Sequence, residues 1–208
     1  MVDKNKIVKA LAELRKDKER KFDQTVDLII NLKNIDIRTQ SPNLFVQVPH
    51  KIKNVKVAGI FEKKTDIVDT ITSASLDKLK DIKEIKKIAA KYDFFMANAK
   101  FMPKVASVLG RYLGPLGKMP SPQLGIVPPT EDEAAIKAVK EKIDKSVKIK
   151  PKEPSIKVAI GKSSMKDEEI VDNINTIEAS VIKALPNAKE NVKNVLIKFT
   201  MGKPIKIS

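Results

Sequence analysis

Few residues in this chain are equipped for chemistry, and their spacing narrows what that chemistry is. The densest stretch runs Leu109-Gly110-Arg111-Tyr112-Leu113-Gly114-Pro115-Leu116-Gly117-Lys118-Met119-Pro120-Ser121-Pro122. Backbone amides bared by glycine can meet phosphate oxygens while Arg111 and Lys118 supply positive charge. A nucleotide-phosphate loop is excluded. That loop needs Gly, four residues, then Gly-Lys-Ser or Gly-Lys-Thr, but Met119 follows Gly117-Lys118 and Tyr112 stands where the first Gly belongs. Residues 103–129 hold four of the chain's 7 Gly and six of its 12 Pro, which reads as a loop costly to order and kept for contact. RNA contact is favoured over a purely structural loop.

Other chemistries have little to draw on. Cys is absent, which removes disulfides, thiolate catalysis and cysteine zinc sites and points to a reducing compartment. His50 is the only histidine, too little for a hydrolase triad or a histidine metal centre. After the apolar run Val55–Phe61, a dinucleotide site would need glycines, and Glu62, Lys63 and Lys64 occupy that turn. Asp66 and Asp69 read as acids at the start of a helix, where the dipole explains them without catalysis. The sequence therefore predicts no catalytic residue, no metal and no cofactor.

Charge says what the partner is. Lys plus Arg number 41 and Asp plus Glu 26 in 208 residues, a net +15 that attracts polyanions. Residues 1–53, 54–145 and 146–208 each carry an excess of five, so the field belongs to the whole body. Two stretches, Phe94–Thr130 and Asn191–Ser208, contain no acid and are candidate contact surfaces. With 42% hydrophobic residues the chain should fold, and with 4% aromatics its core is aliphatic. A charged beginning and no apolar run near ~18 residues predict a soluble cytoplasmic protein with no membrane span.

The elements that must position these residues follow from periodicity. Ile7, Val8, Leu11 and Leu14 recur at helical spacing, with cations following at Lys16, Lys18, Arg20 and Lys21. Val26, Leu28, Ile30 and Leu32 alternate as a half-buried strand, and a second strand follows Pro42 near Leu44 to Val48. Val55–Phe61 and Phe94–Ala97 read as buried strands around a Lys-rich helix at about Asp81–Lys91, and another helix opens at Pro103 through Val105 and Val108. Thr130 and Glu133 form a capping box before a helix with Ile136, Val139 and Ile143 on one face. Pro151 and Pro154 mark its exit. Ile156, Val158 and Ile160 make a strand, and Ser164 with Asp167 caps a helix carrying Ile170, Val171, Ile174, Ile177, Val181 and Leu185. Val192–Thr200 and Ile205–Ile207 close a hairpin through Met201-Gly202-Lys203-Pro204, with Gly202 available for a positive φ.

Neither terminal part has enough elements to be stable alone. Residues 1–53 plus 146–208 are therefore expected to form one discontinuous, two-layer α+β domain of split β-α-β type. Residues 54–145 form an inserted α/β domain, and the two chain crossings form a hinge.

At four places the sequence resembles the ribosomal protein L-one family of the large subunit. Leu109–Pro120 is similar to its signature stretch, and Lys21-Phe22-Asp23-Gln24-Thr25 to the motif after its first helix. Gly161-Lys162-Ser163-Ser164 is similar to its strand-to-helix turn, and Thr200-Met201-Gly202 matches its C-terminal triad. The four lie in order along essentially the whole chain, and the Lys-Met-Pro form has an archaeal or eukaryotic look, so the chain reads as an archaeal member.

The resemblance implies a three-layer Rossmann-like inserted domain of residues 54–145 and a first domain that binds large-subunit ribosomal RNA. It also implies a mobile stalk beside the ribosomal exit site that assists release of deacylated tRNA, and repression of the protein's own message through a leader imitating the ribosomal site. The partners are then ribosomal RNA, exit-site tRNA and the mRNA leader, with the free protein a monomer. Carried over by position, the RNA contacts are Lys21, Phe22, Thr25, Thr200, Met201 and Gly202, with Lys162 a weaker one and Arg111, Gly114, Gly117 and Lys118 auxiliary. Phe22 offers an apolar plane, Thr25 and Thr200 hydroxyls for 2′-OH groups, and Gly202 close backbone approach. By residue type alone, Phe22 equally suits a core position and Met201 a hairpin plug. Two departures affect secondary contacts: Leu116 stands where the family usually has Arg, and Leu44 follows Asn43 where another Arg is common. A generic basic module for DNA or acidic proteins is the competing reading, although no helix-turn-helix pattern supports it.

Overall fold

The computed structural model describes residues 3–16, 21–35, 44–63, 65–72, 82–122, 124–129, 132–151 and 153–207, the side chain of Lys189 excepted. Lys18, Arg20, Pro42, Asn43 and the Thr130 cap lie outside these residues. The chain divides into two compact units, Met1–Lys53 with Lys145–Ser208, and Asn54–Asp144.

In the first unit, helix α1 (Lys4–Arg15) opens on Asp3, whose carboxylate accepts from the Asn5 amide at 3.3 Å. It buries Ile7, Ala10, Leu11 and Leu14, the i, i+3, i+4, i+7 stripe of a helix lying on a core. Val8, expected on that face, is exposed, since it lies about 100° round the helix from Ile7 and off the buried stripe. Strand β1 (Thr25–Leu32) alternates half-buried and buried residues along its length. It is flanked antiparallel by β8 (Ser155–Lys162) and β9 (Val192–Phe199), and β10 (Ile205–Lys206) pairs outside β9, giving the order β10-β9-β1-β8. Helix α5 (Asp167–Ala184) buries Ile170, Val171, Ile174, Ile177 and Val181 in the same core as α1 and the inward residues of the sheet.

Beside this sheet lies a two-stranded antiparallel ribbon of β2 (Leu44–Gln47) and β7 (Ser146–Ile149). Strand β7 is absent from the sequence reading: only Val147 and Ile149 alternate, too few to register as a period. The expected Ser164 cap is also replaced. Lys166 is the N-cap of α5 without a side-chain bond, and Asp167, Glu168 and Glu169 fill the first turn, where the helix dipole favours acids.

The second unit holds a parallel sheet of β3 (Val57–Phe61), β4 (Asp69–Thr72), β5 (Phe94–Asn98) and β6 (Ile126–Val127), in the order β4-β3-β5-β6. Every residue of β3 and β5 is buried, as in a sheet covered on both faces. Ala58, Ile60, Phe95 and Ala97 share a core with Ile85 and Ala89 of α2 (Ile82–Lys91) and with Val105, Leu109 and Leu113 of α3 (Met102–Leu116). Helix α4 (Glu133–Asp144) buries Ile136 and Ile143.

Two expectations are corrected in this unit. Asp66 and Asp69 do not begin a helix: Asp66 lies in a bend and Asp69 opens β4, so residues 62–68 cross between parallel neighbours without a helix among the described residues. The Thr70 hydroxyl ties that short crossover, accepting from the Thr65 amide at 3.2 Å and lying 3.1 Å from the Val68 carbonyl. Nor is 109–116 a loop. It is the second half of α3, with Pro115 in the last turn, because Leu109 and Leu113 continue the buried stripe begun at Val105.

Candidate nucleic-acid interface

Three segments far apart in sequence meet at one end of the first unit's sheet. Antiparallel pairing sets Thr25 at the start of β1 against Lys162 at the end of β8, and Val26 against Phe199 at the end of β9. The turns that enter β1 and leave β8 and β9 are neighbours by register alone. Side chains then stitch them. The Thr200 hydroxyl lies 3.2 Å from both the Thr25 amide and the Thr25 carbonyl, and the Thr200 amide donates to that same carbonyl at 3.1 Å. The Met201 amide donates to Gln24 Oε1 at 3.3 Å. On the other side, the Gln24 amide donates to Ser163 Oγ at 3.0 Å and the Ser163 amide to the Gln24 carbonyl at 2.8 Å.

Asp23 is the hub of the second stitch. Its Oδ1 accepts from Ser163 Oγ at 2.7 Å and the Ser164 amide at 3.1 Å, and its Oδ2 accepts from Ser164 Oγ at 2.9 Å and faces Lys162 Nζ at 3.6 Å. The bond from Ser163 first, then those from Ser164 with Lys162 nearby, outweigh partial desolvation and hold this carboxyl below its ordinary value. Arg15 at the end of α1 anchors the same corner, donating to the Met165 carbonyl at 3.1 Å and pairing with Asp167 at 2.6 Å.

A bulge aims Lys162 toward this end. Asp27 pairs with Ala159 but Val26 pairs with Gly161, so Ile160 is an extra residue in β8. Its orphaned carbonyl is met by Asn173 of α5, fully buried, whose Nδ2 donates at 2.9 Å. The same amide group binds the His50 carbonyl at 3.2 Å and accepts from the His50 amide at 3.1 Å. Gly161 leaves room here: a Cβ would stand 3.1 Å from Met165 Sδ and 3.3 Å from Ile170, so those side chains would have to give by a few tenths of an ångström.

The two apolar candidates are not packing residues. Phe22 is 55% exposed and Met201 61% exposed, which removes the readings of Phe22 as core and Met201 as a hairpin plug. Lys21 is exposed beside Phe22. Gly202 does not take a positive φ; among the described glycines only Gly117 and Gly125 do. It closes a turn instead, its amide donating to the Phe199 carbonyl at 2.9 Å.

The auxiliary residues sit differently from expectation. Arg111 and Gly114 lie exposed on α3 rather than in a loop. A Cβ at Gly110 or Gly114 would meet nothing within 4 Å, so these helix glycines have no packing cause. Gly117 takes φ +67° as a Schellman cap, its amide bonding Gly114 O and that of Lys118 bonding Leu113 O, which consumes the amides expected to face phosphate. Lys118 Nζ turns inward to the Ala89 carbonyl at 2.7 Å and the Tyr92 carbonyl at 2.8 Å. Its charge braces the C-terminus of α2. Leu116, 58% exposed, leaves an apolar side chain at this helix end.

A family model described as the ribosomal protein L1p/L10e family matches residues 14–203. The chain belongs to this family. Relatives named large ribosomal subunit protein uL1 align along nearly their whole length. The one from Pyrococcus abyssi is 36% identical over 217 residues, covering 99% of this chain and 96% of that protein. The one from Thermococcus kodakarensis is 37% identical, covering 99% and 98%, and the one from Nanoarchaeum equitans 35% identical, covering both in full. Membership places the chain among ribosomal proteins and not among enzymes.

Sequence reasoning missed Asp23, Gln24, Ser163 and Asn173 as the residues that hold the interface. Their types are ordinary in turns and helices, and only pairing across 123 to 177 residues of chain gives them a role. Among the described residues no group of three metal-binding side chains occurs, and no helix is long and apolar enough to cross a membrane.

Proposed function

We propose that this protein is a constituent of the large ribosomal subunit in the cytoplasm and that it binds large-subunit ribosomal RNA through the end of the first unit's sheet. Phe22, Thr25, Thr200, Met201 and Gly202 are the contacts, with Lys21 adding phosphate attraction and Lys162 lying beside them paired with Asp23. The single observation that carries this reading is the pair of exposed apolar side chains, Phe22 and Met201, on a surface whose backbone is hydrogen-bonded into one piece. An exposed aromatic ring on a basic body offers a plane on which bases or riboses stack. Gly202 tolerates a Cβ at ordinary contact distances, 3.4 Å from Phe199 Cβ, so its want of a side chain serves approach from outside. Arg111 and the bare helix face at Gly114 form the auxiliary contact. Gly117 and Lys118 shape it.

Within the ribosome the bound protein forms the mobile stalk beside the exit site, with the two chain crossings between units as its hinge, and helps deacylated tRNA leave. As a free monomer it binds its own mRNA leader and represses translation. The relatives' names and the family support the ribosomal part.

The test is a salt titration against a stalk-base fragment of large-subunit ribosomal RNA, beside an unrelated structured RNA of equal length. Charge alone fades equally for both as salt rises, whereas a shaped site keeps a gap of orders of magnitude. Equal, salt-sensitive binding would reduce the protein to a generic basic module.

A further inference from the structure

We propose that Asp23 is the specificity-determining residue of this interface: it withholds Lys162 from phosphate and fixes the turn after β8, so that RNA is chosen by shape instead of by charge. This rests on the RNA reading above. Asp23 is the only acid among residues 21–25, 161–166 and 199–203. A carboxylate on a surface that meets a polyanion lowers affinity for every nucleic acid, so its presence at the centre of this one calls for a cause.

The geometry supplies it. Both carboxylate oxygens are engaged, by Ser163 Oγ, the Ser164 amide, Ser164 Oγ and the Lys162 ammonium. Ser163 passes the constraint to Gln24 through two bonds, and Gln24 passes it to the Met201 amide. The same residue thus neutralises a cation that would bind phosphate on any RNA and ties down the turn bearing Met201. Lost charge weakens non-specific binding, while a fixed surface preserves binding to the one RNA whose shape matches. The Ser163 hydrogen bond, which holds the Asp23 carboxyl below its ordinary value, agrees with a carboxylate kept ionised for this purpose.

A double-mutant cycle with the intact chain tests it, using Asp23→Asn, Lys162→Ala and the double variant against the ribosomal fragment and the unrelated RNA. If Asp23 masks Lys162, Lys162→Ala alone changes the salt slope by less than about 0.3 on either RNA. Asp23→Asn then steepens the slope by about 0.7–0.9 on both, tightens the unrelated RNA at low salt and narrows the ratio between the RNAs roughly tenfold. The double variant recovers the slope but not the ratio. A slope reduced by about 0.7–0.9 in Lys162→Ala alone would overturn the proposal, because Lys162 would already face phosphate. So would an unchanged slope and ratio in Asp23→Asn. Should Asp23→Asn melt below the assay temperature, Lys162→Ala, which leaves the serine bonds intact, decides the masking by itself. If wild-type protein shows no gap between the two RNAs, the RNA reading fails, and the slopes on the unrelated RNA still decide whether Lys162 is masked.

Discussion

Replacing Lys118 by Met separates a brace from a phosphate contact. Met keeps most of the apolar stem and removes the ammonium, leaving the Ala89 and Tyr92 carbonyls without their donor. Hydrogen bonds from a charged donor contribute about 1.5–3 kcal/mol each in protected settings. A cation at a helix C-terminus adds about 0.3–1 kcal/mol. Lys118 is half-buried, so water replaces part of the loss and a total near 2–3 kcal/mol is expected. The damage stays local, because Tyr92 also packs edge-on against Phe95 at 6.0 Å and donates from its hydroxyl to Asp69 at 2.7 Å. For a domain the size of the 54–144 unit, each kcal/mol moves the melting temperature by about 4–8 °C, so a drop on the order of 10 °C is expected in calorimetry. The salt slope of RNA binding should move by less than about 0.3. A slope smaller by about 0.7–0.9 with melting unchanged would refute the reasoning and return Lys118 to the RNA surface.

The remaining predictions, Asp69 apart, fall on the other unit. Phe22→Ala should weaken the ribosomal fragment by about 1–3 kcal/mol, the contribution of one stacked base, and leave melting unchanged because the ring is mostly exposed. Met201→Asp should do at least as much by adding a charge; equal affinity in folded variants would remove both from the site. Asn173→Ala should cost about 2–4 kcal/mol in denaturant unfolding, since the Ile160 carbonyl and the backbone amide and carbonyl of His50 lose their partner; a loss under ~1 kcal/mol would mean water satisfies the bulge. Burial raises the Asp27 carboxyl above its ordinary value, only partly offset by Lys198 opposite it. Its ionised form therefore penalises the fold at pH above that raised value, and the penalty vanishes below the unfolded one, so Asp27→Asn should raise the melting temperature near neutrality and leave it unchanged at about pH 3. Asp23 and Asp69 are shifted the other way, by the Ser163 and Tyr92 hydrogen bonds, and the stability they give is lost as pH falls through the lower carboxylate range.

Much of the secondary structure is legible where one face of an element does all the packing. The buried residues of β1 and of α5 fall at periods of two and 3.6 because a single core presses on one side of each. Where that condition fails, so does the reading. The stretch 109–116 reads as a loop because its glycines and Pro115 are poor helix formers, yet three buried residues, Val105, Leu109 and Leu113, outweigh them. Glycine costs about 1 kcal/mol against alanine in a helix, whereas a buried leucine is worth about 1.5–3 kcal/mol, so packing wins over propensity. Strand β7 fails for the opposite reason: its pairing with β2 comes from a partner a hundred residues away, and nothing local announces it.

For the interface, residue types were legible and roles were not. Phe22 and Met201 could each serve a core, and only their exposure decides against it. Lys118 and Lys162 look alike in sequence as free cations in turns. The fold gives one to the carbonyls at the end of α2 and sets the other 3.6 Å from Asp23. Net charge therefore overstates the surface open to phosphate, because some lysines are spent on helix ends and on acids that hold turns in place. If RNA recognition here depended on counting cations, removing Asp23 could only improve it. The hydrogen-bond chain from Asp23 through Ser163 and Gln24 to Met201 makes a different expectation, that an unrelated RNA binds more tightly while preference for the right one falls.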